Sequence, residues 1–139
     1  MRPLQHGRAR AADLRNCPHP PKAEGCGDPW TSALTKVQGV YVELRYSDSC
    51  KAAWAHISWG GVGDIARVVA AKGATRQDTV HYDTDVYSPM VAADTPSDAK
   101  ACTVLTSGAH GCTEPGGTIR LTPPPEPSIS PASPASPGR

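Results

Sequence analysis

The chain has 139 residues, with 15 prolines, 13 glycines and no phenylalanine. This length suits one ordinary domain, because two domains would each be too short to bury a sufficient core. The proline and glycine content argues against a helical bundle, which needs long proline-free apolar stripes. Residues 23–114 carry seven basic and eleven acidic side chains, a balance that disfavours nucleic-acid binding. No run of 18 apolar residues predicts a membrane span.

Residues 1–22 carry five basic side chains and one acidic side chain, and they contain no aromatic residue. This composition is typical of a disordered basic leader. The first 25 residues contain no apolar segment of the kind that secretory signal peptides carry. All seven aromatic side chains lie between Trp30 and Tyr87. Because a small core without phenylalanine must bury these groups, we place the folded domain at residues 23–114.

Apolar residues alternate with other side chains over residues 40–46, and this period of two predicts the clearest strand. Residues 31–37 fit either a strand or a helix. Further strands separated by turn residues are predicted at 53–59, 65–70, 79–82, 87–92 and 103–105. Thr95 as a cap and Pro96 at the first helical position predict one helical turn over 96–101. About six strands with short connections are typical of a mainly β fold, either a small antiparallel sandwich or a barrel.

Residues 115–139 contain three consecutive prolines at 123–125 and a run of Ser, Pro and Ala at 130–137. This composition predicts a disordered, polyproline-like spacer. An alternative is that the tail is a ligand for a module that binds proline-rich segments.

The residues from the clearest strand onward carry a family resemblance, in Val42-Glu43-Leu44-Arg45-Tyr46-Ser47, Ser49-Cys50 and Ala53-Trp54-Ala55. They resemble the DUF2690 or YjfA-like family of small bacterial proteins, which is abundant in actinobacteria and has no known function. The resemblance extends over residues 17–113 and includes Gly25-Cys26, Gly63-Asp64, residues 87–91, Ala99-Lys100-Ala101-Cys102 and Gly111-Cys112-Thr113. It implies a small protein that is exported from the cytoplasm.

The five cysteines, Cys17, Cys26, Cys50, Cys102 and Cys112, predict a disulfide framework in an exported protein, with one cysteine left over. The resemblance implies a bond between Cys26 and Cys50. Cys102 and Cys112 flank a glycine-containing connection and are expected to close a local loop, with pairing of Cys17 to Cys102 as the alternative. Successive cysteines are separated by 9, 24, 52 and 10 positions, whereas structural zinc needs closely spaced ligand pairs. We therefore predict no metal site from the cysteines.

Two groups of side chains are candidates for catalysis or metal binding. Cys50 and His56 could form a thiol and imidazole pair, but His56 is predicted to share a strand face with Trp54 and Ser58, and Cys50 is expected in a disulfide. A cluster of aspartates at positions 78, 83 and 85 could bind calcium, although such residues more often solvate a turn. No nucleotide-binding or hydrolase motif is present, so no cofactor and no catalytic residue are predicted.

Trp30, Trp59 and Tyr41 are the candidate ligand-binding residues, because exposed aromatic faces stack on sugar rings or anchor protein partners. The sequence therefore favours a non-catalytic extracellular binding module for a surface glycan or a secreted protein partner. An adaptor subunit of a secreted assembly and a hydrolase of an envelope polymer are the alternatives.

Overall fold

Two antiparallel sheets form the fold in the computed structural model, which describes residues 26–125. The first sheet has the order β1-β2-β3-β6, with β7 also paired to β3, and the second has the order β5-β4-β8-β9. The strands are β1 Trp30–Val37, β2 Val40–Ser47, β3 Ala52–Ser58, β4 Ile65–Ala70, β5 Thr75–Thr79, β6 Val86–Tyr87, β7 Val91–Ala92, β8 Ala99–Val104 and β9 His110–Cys112. The predicted mainly β, antiparallel fold is confirmed, with nine strands in residues 26–125 where about six were predicted.

The first three strands form a meander of long antiparallel hairpins. Gln38 and Gly39 join β1 to β2 and have φ angles of 49° and 85°, the left-handed values that a tight two-residue hairpin turn requires. Between Thr31 and Ala33 the register of β1 shifts by a bulge. The bulge and the turn together fix which side chains of β2 face each side of the sheet.

The core lies between the two sheets. Val42, Leu44 and Ile57 from the first sheet pack in one cluster with Ala66 and Val68 from the second. These β2 and β4 side chains are fully buried, as the alternation in the sequence predicts. Because small alanines line much of the second sheet, the larger residues of β2 and β3 provide most of the buried apolar volume.

Three local predictions differ from the structure. The strand predicted at 79–82 is wrong in position, because β5 ends at Thr79 and consists of the polar residues Thr75–Thr79 at a sheet edge. The strand predicted at 87–92 is divided into β6 and β7 around Pro89, which has no N–H for a ladder bond. The helical turn predicted at 96–101 is a shorter 3-10 turn at Pro96–Asp98, so the strand predicted at 103–105 begins earlier, directly after the turn, as β8.

Residues 115–121 are part of the folded structure. The N–H of Gly117 donates to the carbonyl of Ser32 at 3.0 Å, and the N–H of Leu121 donates to that of Thr31 at 2.9 Å. Gly116 is buried. The spacer predicted from residue 115 therefore begins too early, because β1 is an edge strand whose free carbonyls accept these bonds. The predicted leader and residues 126–139 of the tail lie outside the described residues.

Two disulfides join the strands, Cys26–Cys50 and Cys102–Cys112, with Cα–Cα distances of 5.7 and 3.9 Å. They are the two pairs expected above. The first packs with Trp54 and Met90, and the second joins β8 to β9 at directly opposite positions. Cys17 lies outside the described residues. Within residues 26–125 no helix has the length and hydropathy needed to cross a membrane.

Candidate functional site on the outer face of the first sheet

The side of the first sheet that faces away from the core carries four of the seven aromatic side chains and a cluster of charged groups around His56. On β2 and β3 the core-facing residues alternate with a second set, which the strand register places side by side. We call this surface the outer face and define it by Tyr41, Glu43, Arg45, Trp54, His56 and Ser58, together with the adjoining Trp59, Asp85 and Tyr87.

His56 lies between two carboxylates. Its Nδ1 is 2.7 Å from Oε1 of Glu43, and its Nε2 is 3.1 Å from Oδ2 of Asp85. The ring stacks on Tyr87 with a centroid distance of 4.1 Å and an interplanar angle of 12°. Each ring nitrogen therefore has one carboxylate partner, and the ring ties β2, β3 and the segment before β6 together.

Glu43 is the buried centre of this network. Its side chain is 3% exposed, the hydroxyl of Thr31 donates to its Oε2, and Nη1 of Arg45 is 3.4 Å from the same oxygen. Burial raises the pKa of Glu43, but hydrogen bonds from His56 and Thr31 and the charges of His56 and Arg45 outweigh burial and hold the pKa below its usual value. The carboxylate is therefore charged, and each of its oxygens already has a side-chain partner within the protein.

Sequence reasoning placed His56 on one face with Trp54 and Ser58, and the pairing of β2 with β3 agrees with that placement. It missed the partners of His56. Glu43 is directly opposite His56 in the hairpin register, so a register derived from the connection between β2 and β3 could have found it. Asp85 approaches from 29 positions away in sequence, and no local signal indicates that contact.

The predicted alternative of a Cys50 and His56 pair is wrong. Cys50 is bonded to Cys26, so its sulfur is not a free thiolate nucleophile. Both ring nitrogens of His56 are also occupied by carboxylates.

Trp59 is the exposed aromatic residue of this surface. It follows β3 directly, its φ is 66°, and it is 45% exposed. A left-handed conformation is unusual for a bulky residue and costs on the order of 1–3 kcal/mol. The indole N–H donates to the carbonyl of Pro125 at 2.7 Å. The backbone therefore turns a large aromatic side chain outward at the end of the strand, where it contacts the proline-rich segment.

Tyr41 lies close to Trp59 in the fold. It pairs with Ser58, the residue before Trp59, and is half-buried. The ammonium of Lys36 is 4.8 Å from the centre of the tyrosine ring, a cation–π contact. The hydroxyl of Ser58 is buried without a hydrogen-bond partner.

Trp30 was a candidate ligand-binding residue on the assumption that its ring is exposed, and that assumption is wrong. It is only 8% exposed and meets Tyr46 edge to face at 5.9 Å. The guanidinium of Arg120 lies 4.7 Å from its ring centre, and its indole N–H donates to Asp48 at 2.9 Å. Trp30 is therefore a core residue at the edge of the sheet.

The three aspartates considered for calcium have separate partners. Asp78 and Asp83 each accept a hydrogen bond from the next backbone N–H, whereas Asp85 contacts His56. Within residues 26–125, no three His, Cys, Asp or Glu side chains are placed to hold one metal ion.

A cavity of about 330 Å³ lies at another part of the molecule, between β4 and β8. It is lined mainly by apolar groups such as Val69, Ala99 and Pro115, with Ser97 and Lys100 among its polar side chains. It brings together no carboxylate or imidazole, so the outer face remains the better candidate site.

The model of a family described as a protein of unknown function, DUF2690, matches residues 19–102. The matched segment contains the first disulfide and the whole of the outer face. Comparisons with curated proteins and with solved structures gave no match.

Proposed function

We propose that this chain, which belongs to the DUF2690 family, is a non-catalytic binding module that acts outside the cytoplasm. It binds a surface glycan or a secreted protein partner through the outer face around Trp59. A place among the YjfA-like proteins of actinobacteria is part of the same proposal.

The observation that carries the proposal is the conformation of Trp59. The main chain adopts a left-handed φ of 66° at this tryptophan, and the indole stays 45% exposed although the protein has few aromatic residues to fill its core. Strained conformations of this kind concentrate at binding sites, where the surrounding structure holds them. Tyr41 and the 40%-exposed carboxylate of Asp85 provide further aromatic and hydrogen-bonding groups nearby.

The chemistry of the same face favours binding over turnover. General acid or base catalysis needs a titrating group within reach of a substrate. Glu43 is buried and His56 is held by carboxylates on both sides. Of the groups bonded to His56, only the carboxylate of Asp85 reaches solvent. A single available carboxylate disfavours the envelope-polymer hydrolase, because glycoside hydrolysis generally needs a pair of them.

The extracellular part of the proposal is supported by the disulfides. Two disulfides in a small domain are consistent with an oxidising compartment, since cytosolic thiols are kept reduced.

The test is retention of the full-length oxidised protein on insoluble cell-wall polymers and, separately, on immobilised proteins from the culture medium of its host. Trp59→Ala should weaken retention at least tenfold, the loss expected for a central aromatic anchor. Tyr82→Ala is the matched control, because Tyr82 is an aromatic residue that is 89% exposed. Retention that is absent, or that is the same for Trp59→Ala and the native protein, would contradict the proposal. Release of soluble wall fragments over time would contradict its non-catalytic part.

A further inference from the structure

The segment from Leu121 to Pro125 connects the edge of β1 to the end of β3. Its first residue donates its N–H to Thr31 of β1 at 2.9 Å, and its last accepts the indole N–H of Trp59 at 2.7 Å. Since β2 lies between β1 and β3, residues 122–124 must cross the width of three strands. We call residues 121–125 the proline strap.

The length of the proline strap fits this crossing. Prolines at 123, 124 and 125 fix φ near −65° and disfavour a helical conformation in the residue before each of them. Across the sheet, two strand spacings amount to about 10 Å. Along the sheet, Thr31 is level with Arg45 and Trp54, so the end of β3 at Ser58 lies four residues further on, about 13 Å at about 3.3 Å per residue. The crossing is therefore a diagonal of about 17 Å. Four polyproline II steps of about 3.1 Å cover about 12 Å of it, and the indole of Trp59, which reaches from the end of β3 to Pro125, covers the remainder.

The contact at Trp59 has the chemistry of polyproline recognition. Modules that bind proline-rich peptides use grooves lined by aromatic residues, and the ligand is already extended before it binds. A polyproline helix makes no internal hydrogen bonds, so its carbonyls are free to accept. Here an indole N–H donates to one of them, and Tyr41 lies near the same end of the sheet.

Resting on the proposed binding function, we infer that the partner of the outer face is an extended proline-rich peptide, and that the proline strap occupies this site within the same chain until a partner displaces it. The partner would offer a carbonyl to the indole N–H of Trp59 and proline rings to the aromatic surface. The strap thereby lowers the affinity for partners by competition.

The expected size of this competition follows from effective concentration. A segment tethered by a short linker has an effective concentration on the order of 1 mM. If its intrinsic dissociation constant is about 100 µM, the site is occupied about ten times more often than it is open, and a partner binds about tenfold more weakly than to an open site.

The test uses the full-length chain and a synthetic peptide, Leu-Thr-Pro-Pro-Pro-Glu-Pro, blocked at both ends. A peptide with alanine in place of each proline is the control. Affinity is measured by isothermal titration calorimetry, which works equally for variants that lack Trp59. The contact is located from the three indole N–H signals in a proton–nitrogen correlation spectrum, where Trp59→Ala identifies the signal of Trp59. The strap is weakened by Pro123→Ala, Pro124→Ala and Pro125→Ala together, and near-ultraviolet circular dichroism checks that this variant is folded.

The inference predicts that the peptide shifts the Trp59 signal of the strap variant, that the strap variant binds it about tenfold more tightly than the native chain, and that the alanine peptide does not bind. Trp59→Phe, which keeps a flat ring but lacks the N–H, should weaken binding in either background, and this measurement remains if the strap variant does not fold. Equal affinity of native and strap-variant chains, or peptide binding that is unaffected by Trp59→Phe, would overturn the inference.

Failure of the inference is distinguishable from failure of the proposed function. A wall glycan that binds in a Trp59-dependent way, with no peptide binding, would refute the proline-rich partner and leave the binding module standing. If neither glycan, secreted protein nor peptide depends on Trp59, both are refuted.

Discussion

Glu43 and Asp85 bond to the same imidazole but differ in burial, with side-chain exposures of 3% and 40%. Removing one partner of a buried charged network leaves the other charges uncompensated, which costs about 3 kcal/mol. An ion pair that reaches solvent contributes less than about 1 kcal/mol. We therefore expect Glu43→Gln to lower the free energy of unfolding in urea by about 3 kcal/mol and Asp85→Asn by less than 1 kcal/mol. Equal losses would show that burial does not decide the strength of these contacts.

The lowered pKa of Glu43 predicts that the free energy of unfolding decreases in acid. The pKa of Glu43 is held below its ordinary value of 4.5, so the unfolded chain binds the proton first as the pH falls. The stability that Glu43 contributes is complete above pH 4.5 and is lost as the pH falls through the lower native pKa. The difference in unfolding free energy between the native protein and Glu43→Gln should therefore be largest near neutral pH and shrink in acid.

The environment of Tyr46 predicts that the free energy of unfolding decreases at alkaline pH. Its hydroxyl is buried and donates to the carbonyls of Ala93 and Asp94 at 2.9 and 2.8 Å. Burial, followed by the negative charges of nearby aspartates, raises the pKa of Tyr46 from 10.0 to about 12. Its stabilising contribution is complete below pH 10 and is lost as the pH rises through 12.

We expect Tyr46→Phe to be about 1–2 kcal/mol less stable than the native protein at neutral pH, because the single O–H that the carbonyls of Ala93 and Asp94 share is lost. This difference should shrink between pH 10 and 12. Tyr82→Phe is the control, since Tyr82 is 89% exposed; the same alkaline change in both variants would argue against burial as its cause.

At the scale of elements, residues 115–121 link the two sheets. The N–H groups of Gly117 and Leu121 donate to the carbonyls of Ser32 and Thr31 on β1, the edge of the first sheet, and the N–H of Gly116 donates to Ala99 of β8 in the second sheet. Loss of three such bonds costs roughly 1.5–4.5 kcal/mol. A chain that ends at residue 114 should therefore unfold at lower urea concentration than one that ends at residue 125. Identical midpoints would place the domain boundary at 114 after all.

The two disulfides close loops of different length, with sequence separations of 24 and 10. The chain-entropy model predicts stabilisation of about 3.5 kcal/mol for the first and about 2.8 kcal/mol for the second. The first also packs against Trp54 and Met90. We expect the double alanine variant of Cys26 and Cys50 to be less stable than that of Cys102 and Cys112, as measured by thermal unfolding. The reverse order would contradict loop closure as the main effect.

At the scale of the whole molecule, the sequence predicts the strands that have one buried face, and it does not predict contacts between distant segments. The alternation of Val42, Leu44 and Tyr46 identifies a strand because one face of β2 is buried. The polar strand β5 gives no such signal, because it lies at a sheet edge and has no fully buried side chain. The contact between His56 and Asp85, and that between Trp59 and Pro125, depend on how distant segments meet and have no signature in the sequence.

The oxidised state of the whole chain gives the last prediction. Of the five cysteines, four are joined in two disulfides. Protein recovered from its host without reductant, then denatured, should therefore react with one equivalent of a thiol reagent per monomeric chain, and with five after reduction. A native count of five would mean that the protein resides in a reducing compartment, and the extracellular binding module would then be wrong. A count of one supports export, since disulfides persist only where glutathione and thioredoxin do not reduce them.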